Sequence, residues 1–504
     1  MLVLWFLIFL LILFYVRHFI KWKHGPPGPL PLPLVGNLVQ LIMMGTQPHL
    51  AIARLSKKYG DIFRLQIGTQ DFVFASSIEA LVNLYTRDEA LGRDVYGTLL
   101  DRSAGQNTGI IMAVGETWEI NRKWTFKTLN RLGLRKGSGI EDSINEQCDF
   151  VVKSCETALS TRGTGWVAID VSPMFLIPVT KVVFRLVMGD RIDDADNGAA
   201  LEKLIYLSEE MAKSTSLGAG LDAAFPFLRF IVPKLTGRNV QMKCYTSIRD
   251  AAQKLLDAIR LEQKSSSLND DPKSLAHLYI QEMDNDPSSA LFSDFHFGSL
   301  YMDLLQAASD TTNSYLQCLI LFSVTQRSCQ EKIYEEIVNI IGTCNRATLE
   351  HRRLMPYTES FMLETHRHSK IVPTLLPHKI TKEFTIGKYI IPQDTQILAD
   401  IHSVNFDERI WKNPMEFDPT RFLDTDGSVS KEKRKLCVPF GVGRRACPGE
   451  SVAEWTAFIF LVNIIRSFML AVVPGENPPM TEMHVGITSG PHPFKVAISR
   501  REIN

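Results

Sequence analysis

Residues 439–450 read PFGVGRRACPGE, and the rest of the 504-residue chain is best read outward from them. Cys447 stands among Gly441, Gly443 and Gly449, with Arg444 and Arg445 just before it. A structural zinc site would need about four cysteine or histidine ligands at short spacings. Cys437 is the nearest other cysteine, and the chain has no CxxC pair. A lone cysteine is ordinarily a buried, inert thiol, but that leaves glycines and an arginine at fixed offsets unexplained. A ligand loop explains them. Glycines let backbone approach a flat cofactor, and free amide N–H groups can donate to a thiolate sulfur. Arg445 can pair with a cofactor carboxylate.

The other end of the chain sets the compartment. Met1 to Val16 carries no charge, and the apolar run persists to Ile20. Twenty helical residues span roughly 30 Å, the hydrocarbon thickness of a bilayer. A cleaved signal would place basic residues before the run and a small-residue cleavage site after it. Here Arg17, Lys21 and Lys23 come at its end, around bulky Trp22. Residues 1–20 are therefore expected to form a transmembrane signal anchor, and the basic flank predicts a body facing the cytosol. Residues 21–37 hold Pro26, Pro27, Pro29, Pro31 and Pro33 and predict a stiff hinge, neither helix nor sheet. Residues 38–504 form the body. A cytosolic body lies in a reducing compartment, so the eight cysteines are expected to be free thiols and Cys447 not to be bridged.

A composition of 45% hydrophobic and 22% charged residues with zero formal net charge is globular, and it argues against a nucleic-acid partner. No internal repeat is visible. FRLQIGTQDFVFASS, residues 63–77, alternates around Gly68 and predicts a β-hairpin; a second β-like stretch follows Ile380. Apolar periodicity predicts helices at about 115–135, 140–160, 245–265, 290–345, 355–368 and 450–470. Residues 262–274 and 425–435 read as surface loops. The expected fold is mainly α with a minor β-sheet region in one large domain.

The spacing Phe440-x-x-Gly443-x-Arg445-x-Cys447-x-Gly449 resembles the haem-ligand loop of the cytochrome P-450 superfamily, in its animal microsomal form. The resemblance runs from the proline strap to the C-terminal FKVAISR. It implies the cytochrome P-450 fold, haem b as cofactor and Cys447 thiolate as the axial iron ligand, a ligand that favours O–O cleavage. Glu364 and Arg367, three apart on a helix, would join Arg421 of FDPTRF in a buried charge triad. Thr420 and His368 depart from the usual pattern there, at positions expected to leave the triad untouched. Trp118, Arg122, His378 and Arg445 would hold the haem propionates, while Gln106 stands where many relatives carry a further arginine. QAASDTTNS, residues 306–314, breaks an apolar helix pattern with polar residues. By resemblance Asp310 and Thr311 would relay protons to distal oxygen, and Ala308 replaces the usual glycine, predicting a tighter local opening.

These features imply a monooxygenase that inserts one atom of O2 into a lipophilic small molecule: a steroid, terpenoid, fatty acid or xenobiotic. With no nucleotide-binding fingerprint in the chain, NADPH would act through a separate flavoprotein reductase, with cytochrome b5 as a second donor. The implied location is the endoplasmic reticulum membrane. A basic face made of Lys431, Lys433, Arg434, Lys435, Arg444, Lys123, Lys127, Arg131 and Arg135 is expected to receive the acidic donor. Segments around 98–113, 200–240, 300–311, 371–376 and 485–490 would line the substrate pocket. A haem-thiolate isomerase or dehydratase and a non-catalytic haem protein stay open as alternatives, and neither substrate nor oligomeric state is legible.

Overall fold

The computed structural model describes residues 1–45, 47–93, 101–134, 138–162, 165–189, 205–207, 210, 224–265, 274–484, 486 and 488–501. Among these, the helices of eight or more residues are α1 (Leu2–Lys21), α2 (Pro48–Tyr59), α3 (Ile78–Tyr85), α4 (Gly115–Leu129), α5 (Ser138–Arg162) and α6 (Leu176–Met188). They continue with α7 (Arg238–Ser265), α8 (Leu275–Asn285), α9 (Asp294–Thr325), α10 (Arg327–Ile340), α11 (Pro356–Ser369) and α12 (Glu450–Ser467). The strands are short: β1 (Ile62–Ile67), β2 (Gln70–Ala75), β3 (Val167–Asp170), β4 (His378–Lys379), β5 (Phe384–Ile386) and β6 (Tyr389–Ile391). After them come β7 (Gln396–Ala399), β8 (Phe468–Ala471), β9 (Met483–His484), β10 (Gly490–Pro491) and β11 (Lys495–Arg500).

The expected hairpin is β1–β2, antiparallel from Ile62↔Ala75 to Ile67↔Gln70. Gly68 makes its turn at φ +59°, and a Cβ there would lie 2.0 Å from the Ala224 carbonyl oxygen. Strand β2 pairs parallel with β7, which pairs antiparallel with β4, closing a sheet of order β1-β2-β7-β4. A second sheet runs β3-β11-β8.

Helix α9 is the axis of the body and is buried along most of its 32 residues. It packs against α6, α7, α11 and α12. In α12 the run Ala457–Ile465 is buried on every side, as expected of a helix apolar all round at the centre of a large domain. Burial of each such large side chain is worth about 1.5–3 kcal/mol.

Several boundaries differ from the sequence expectation. The 290–345 pattern is two helices, because Gln326 leaves helical geometry (φ −116°, ψ 65°) and caps both. The 115–135 pattern stops being α-helical at Leu129 and passes into a wider turn over Asn130–Leu134. The 425–435 loop contains one helical turn, Lys431–Arg434. Helices α2, α3, α6 and α8 were not anticipated; α6 (LIPVTKVVFRLVM) is rich in β-branched residues that mimic a strand.

The proline strap is docked on the body. Arg64 of β1 donates to the carbonyls of Pro27 through its amide at 2.8 Å and of Pro26 through Nε at 3.1 Å. Its guanidinium sits 5.2 Å from the ring centroid of buried Trp22, and Gly36 bridges to Ile67. The stiff segment expected there is thus tied to the sheet edge by isolated bridges and the Arg64 hydrogen bonds. Ahead of it, α1 is exposed along most of its length, with His18 buried near its end, and it alone among the described helices is long and apolar enough to cross a membrane.

Candidate functional site

The 439–450 stretch forms a tight loop leading into α12. Gly443 takes φ +76°, and a Cβ there would meet the Tyr85 carbonyl oxygen at 2.7 Å. Only glycine fits that approach. The Cys447 amide donates to the Phe440 carbonyl at 2.8 Å. Its Sγ accepts the Gly449 amide N–H at 3.3 Å. Burial raises the thiol, and the Gly449 amide and the Arg122 guanidinium only partly offset it. Yet Cys447 is exposed by surface area, whereas Cys148, Cys155, Cys244, Cys318, Cys329 and Cys437 are buried. All eight cysteines are free. No group of three or more His, Cys, Asp or Glu among the described residues could hold a metal ion alone.

Around this loop lies a cluster of cations. Arg445 is buried, its guanidinium carbon 3.9 Å from the Trp118 ring centroid, and it donates to the Leu91 and Ala113 carbonyls at 2.8 and 2.7 Å. Arg122, one turn beyond Trp118 on α4, donates to the Ala446 carbonyl. His378 stands on β4 with its ring 4.3 Å from that of Tyr85. Burial and the charges of Arg93 and Arg445 hold its imidazole well below the ordinary range. Burial and the neighbouring Arg93, Arg122 and Arg444 likewise depress Arg445 to about 8.

Arg93 escaped sequence reading. It is buried, donates to the carbonyls of Ile111 at 3.2 Å and Leu376 at 3.3 Å, and is brought down to about 10 by burial. Its only local signal is a preceding glycine, and Gln106, at the position where the resemblance would place an arginine, is exposed.

The residues present fit a dicarboxylate cofactor. Trp118 Nε1, His378 Nδ1 and Arg445 Nη1 are buried and find no hydrogen-bond partner among the described residues. The first and last are obligate donors. Arg93, Arg122 and Arg445 have no acidic partner among those residues; the nearby carboxylates of Asp88 and Glu119 are taken by Arg444 at 3.1 and 2.7 Å. Orphaned donors and mutually repelling guanidiniums call for anionic acceptors.

The triad assembles. Glu364 on α11 bonds Arg367 at 2.8 Å and Arg421 at 3.0 Å, with Glu364 and Arg367 fully buried. His368 is a correction: its Nε2 lies 3.4 Å from Glu364 and 2.7 Å from Arg367, inside the network. Burial alone would push the Glu364 carboxyl up, but the Arg367 and His368 hydrogen bonds outweigh it and hold it at about 2. Thr420 bonds Asp418 instead.

On α9, Thr311 donates to the Ala307 carbonyl at 2.6 Å and Asp310 is half-buried. The helix runs α-helical through Ala307–Thr311, without the wider opening a glycine would favour. The basic face is only partly free: Lys433 donates to the Leu423 carbonyl at 2.9 Å, Lys435 pairs with Glu432 and Arg434 with Glu359. Lys123, Lys127 and Arg131 are exposed. Arg135, much of 200–240 and parts of 98–113 and 485–490 lie outside the described residues.

The sequence model of the Cytochrome P-450 family matches residues 26–498. This chain belongs to the cytochrome P-450 family. Its members are haem-thiolate monooxygenases carrying haem b. The chain is 29% identical to farnesoate epoxidase of Bombyx mori over 95% of its own length and 94% of the relative's. It is 28% identical to cytochrome P-450 1A1 of Limanda limanda (94% and 91% covered) and 27% identical to cytochrome P-450 1A5 of Gallus gallus (93% and 88%).

Proposed function

We propose that this cytochrome P-450 is anchored in the endoplasmic reticulum membrane by α1, with its body in the cytosol. It oxygenates a lipophilic small molecule with electrons from NADPH, delivered by a separate flavoprotein reductase and, as a second donor, cytochrome b5. Haem b supplies O2 activation when bound. Cys447 would hold the haem iron through its thiolate, and the Gly449 amide at 3.3 Å would temper the charge on that sulfur. Trp118, Arg122, His378, Arg445 and Arg93 bind the propionates. Phe440 and Gly449 shape the loop, and Glu364, Arg367 and Arg421 hold its underside by tying α11 to the 416–421 segment.

Asp310 and Thr311 move protons from the α9 side. Thr311 rests back-bonded to Ala307 and can turn its hydroxyl outward at the cost of one hydrogen bond, about 1 kcal/mol. The observation that carries this reading is the set of three orphaned polar atoms beside Cys447. A relative named for epoxidising farnesoate supports a lipophilic substrate. The test is reconstitution with reductase, NADPH and a panel of steroids, terpenoids, fatty acids and aromatic xenobiotics. Oxygenated product containing label from 18O2 supports the reading; rearrangement without O2 or NADPH supports an isomerase.

A further inference from the structure

A second set of charges lies behind the Cys447 loop, and the reaction as read above uses none of it. His366 sits between Glu364 and Arg367 in sequence but outside their triad. Its Nε2 is 2.6 Å from Glu454 Oε1 on α12, with the two side chains only 4% and 5% exposed. Glu454 also accepts from Arg352, which grips Glu359 at 2.7 and 2.9 Å; Arg434 closes on Glu359 at 2.6 Å. Burial would push the Glu454 carboxyl up, but the His366 hydrogen bond and the charges of Arg352 and Arg434 hold it at about 2. It is a carboxylate at neutral pH and only accepts, so His366 Nε2 carries the shared proton.

The imidazole is held by two more rings. It stacks on Tyr315, centroids 3.7 Å apart and planes at 15°. Tyr315 lies one helical turn beyond Thr311 on α9, and its hydroxyl donates to the Met362 carbonyl at 3.0 Å. Phe440 meets the same imidazole edge to face at 5.2 Å and 74°. The Phe440 carbonyl is the acceptor of the Cys447 amide. One unbroken series of contacts thus runs from a buried carboxylate, through His366 and Phe440, to the backbone of the thiolate loop.

We propose that the Glu454–His366 pair is a positioning element that, through Phe440, fixes the Cys447 loop and sets the reduction potential of the iron held there. Outer contacts orient a metal ligand and tune its donation, and a full charge in a low-dielectric interior acts over several contacts. Removing the negative charge favours gain of an electron; removing the proton donor that partly neutralises it disfavours it. The inference rests on Cys447 being the iron ligand.

Spectroelectrochemical titration of the full-length, haem-loaded protein tests it. Glu454→Gln keeps an acceptor for His366 but loses the charge, and should move the potential positive by about tenfold in the reduction equilibrium, or 59 mV for one electron. His366→Phe keeps a ring against Tyr315 and Phe440 but loses the donor, and should move it negative. Mere loosening of the fold would not give opposite signs. If His366→Phe fails to load haem, the double variant with Glu454→Gln, which leaves no charge exposed, should sit at the Glu454→Gln value. Unchanged potentials, shifts of the same sign, or a double variant displaced from that value overturn the inference. A wild-type protein whose reduced carbon monoxide complex lacks the thiolate absorption overturns instead the ligand assignment beneath it.

Discussion

Arg445 lies over the indole of Trp118, 3.9 Å from guanidinium carbon to ring centroid, and each residue carries a buried N–H with no acceptor among the described residues. An orphaned donor adds nothing to the stability of the haem-free chain; it gains an acceptor only when a propionate arrives. Trp118→Phe should cost the haem-free chain only the packing lost to a smaller ring at this buried position, about 0.5–3 kcal/mol in denaturant titration. The same variant should lose haem roughly tenfold faster to apomyoglobin, since a hydrogen bond to a charged group is worth about 1.5–3 kcal/mol. Equal haem loss would show that the indole N–H holds nothing.

Cys447 and Cys437 make a matched pair of tests. Cys437 is buried, its thiol pushed up to about 12 by that burial. Cys437→Ser should keep haem and the thiolate absorption of the reduced carbon monoxide complex, whereas Cys447→Ser should lose that absorption.

Thr311→Ala removes one back-bond from α9 and should leave folding and substrate binding in place. NADPH oxidation should be diverted to peroxide, with oxygenated product falling by about 10²–10⁴, the usual cost of a positioned proton donor. Thr311→Ser, which keeps the hydroxyl, should retain most of the coupling. Product formed per NADPH is the quantity to measure.

Glu364 predicts an acid limb of stability. Its carboxyl is depressed from 4.5 to about 2 in the folded chain. A depressed acid stabilises fully above its unfolded pKa, and the contribution is lost as pH falls from about 4.5 towards 2, roughly 3 kcal/mol in all. Glu364→Gln should flatten thermal stability over that window. It should also cost about 3–5 kcal/mol at neutral pH, because Arg367 is left buried without its counter-charge.

The exposed lysines of α4 predict salt-dependent docking. Lys123→Glu with Lys127→Glu should raise the apparent KM for the reductase and leave the carbon monoxide spectrum intact. Added salt should weaken the wild type more than the variant, since rim charges act over roughly 8 Å at physiological ionic strength. Lys433→Glu should show a weaker effect, because its ammonium already caps the Leu423 carbonyl.

The features legible in the sequence are those carried by short spacings. Cys447 stood out because glycines and an arginine at fixed offsets constrain one loop, and Glu364 and Arg367 because three residues make a helix face. The hairpin at residues 62–75 followed from period-two alternation, and α1 from length and apolarity alone. Tertiary structure decided the rest. Arg93 differs from an ordinary surface arginine only in being buried among carbonyls and other cations, a property of Ile111, Leu376 and Arg445 rather than of its neighbours in the chain. His368 looked like a harmless departure until folding set it against Glu364 and Glu416. His366 and Glu454 are 88 residues apart, and no periodicity links them. A residue's type and spacing determine which local element it can join. Its charge state and partner depend on the dielectric and donors that distant segments bring, and these exist only once α9, α11 and α12 have packed.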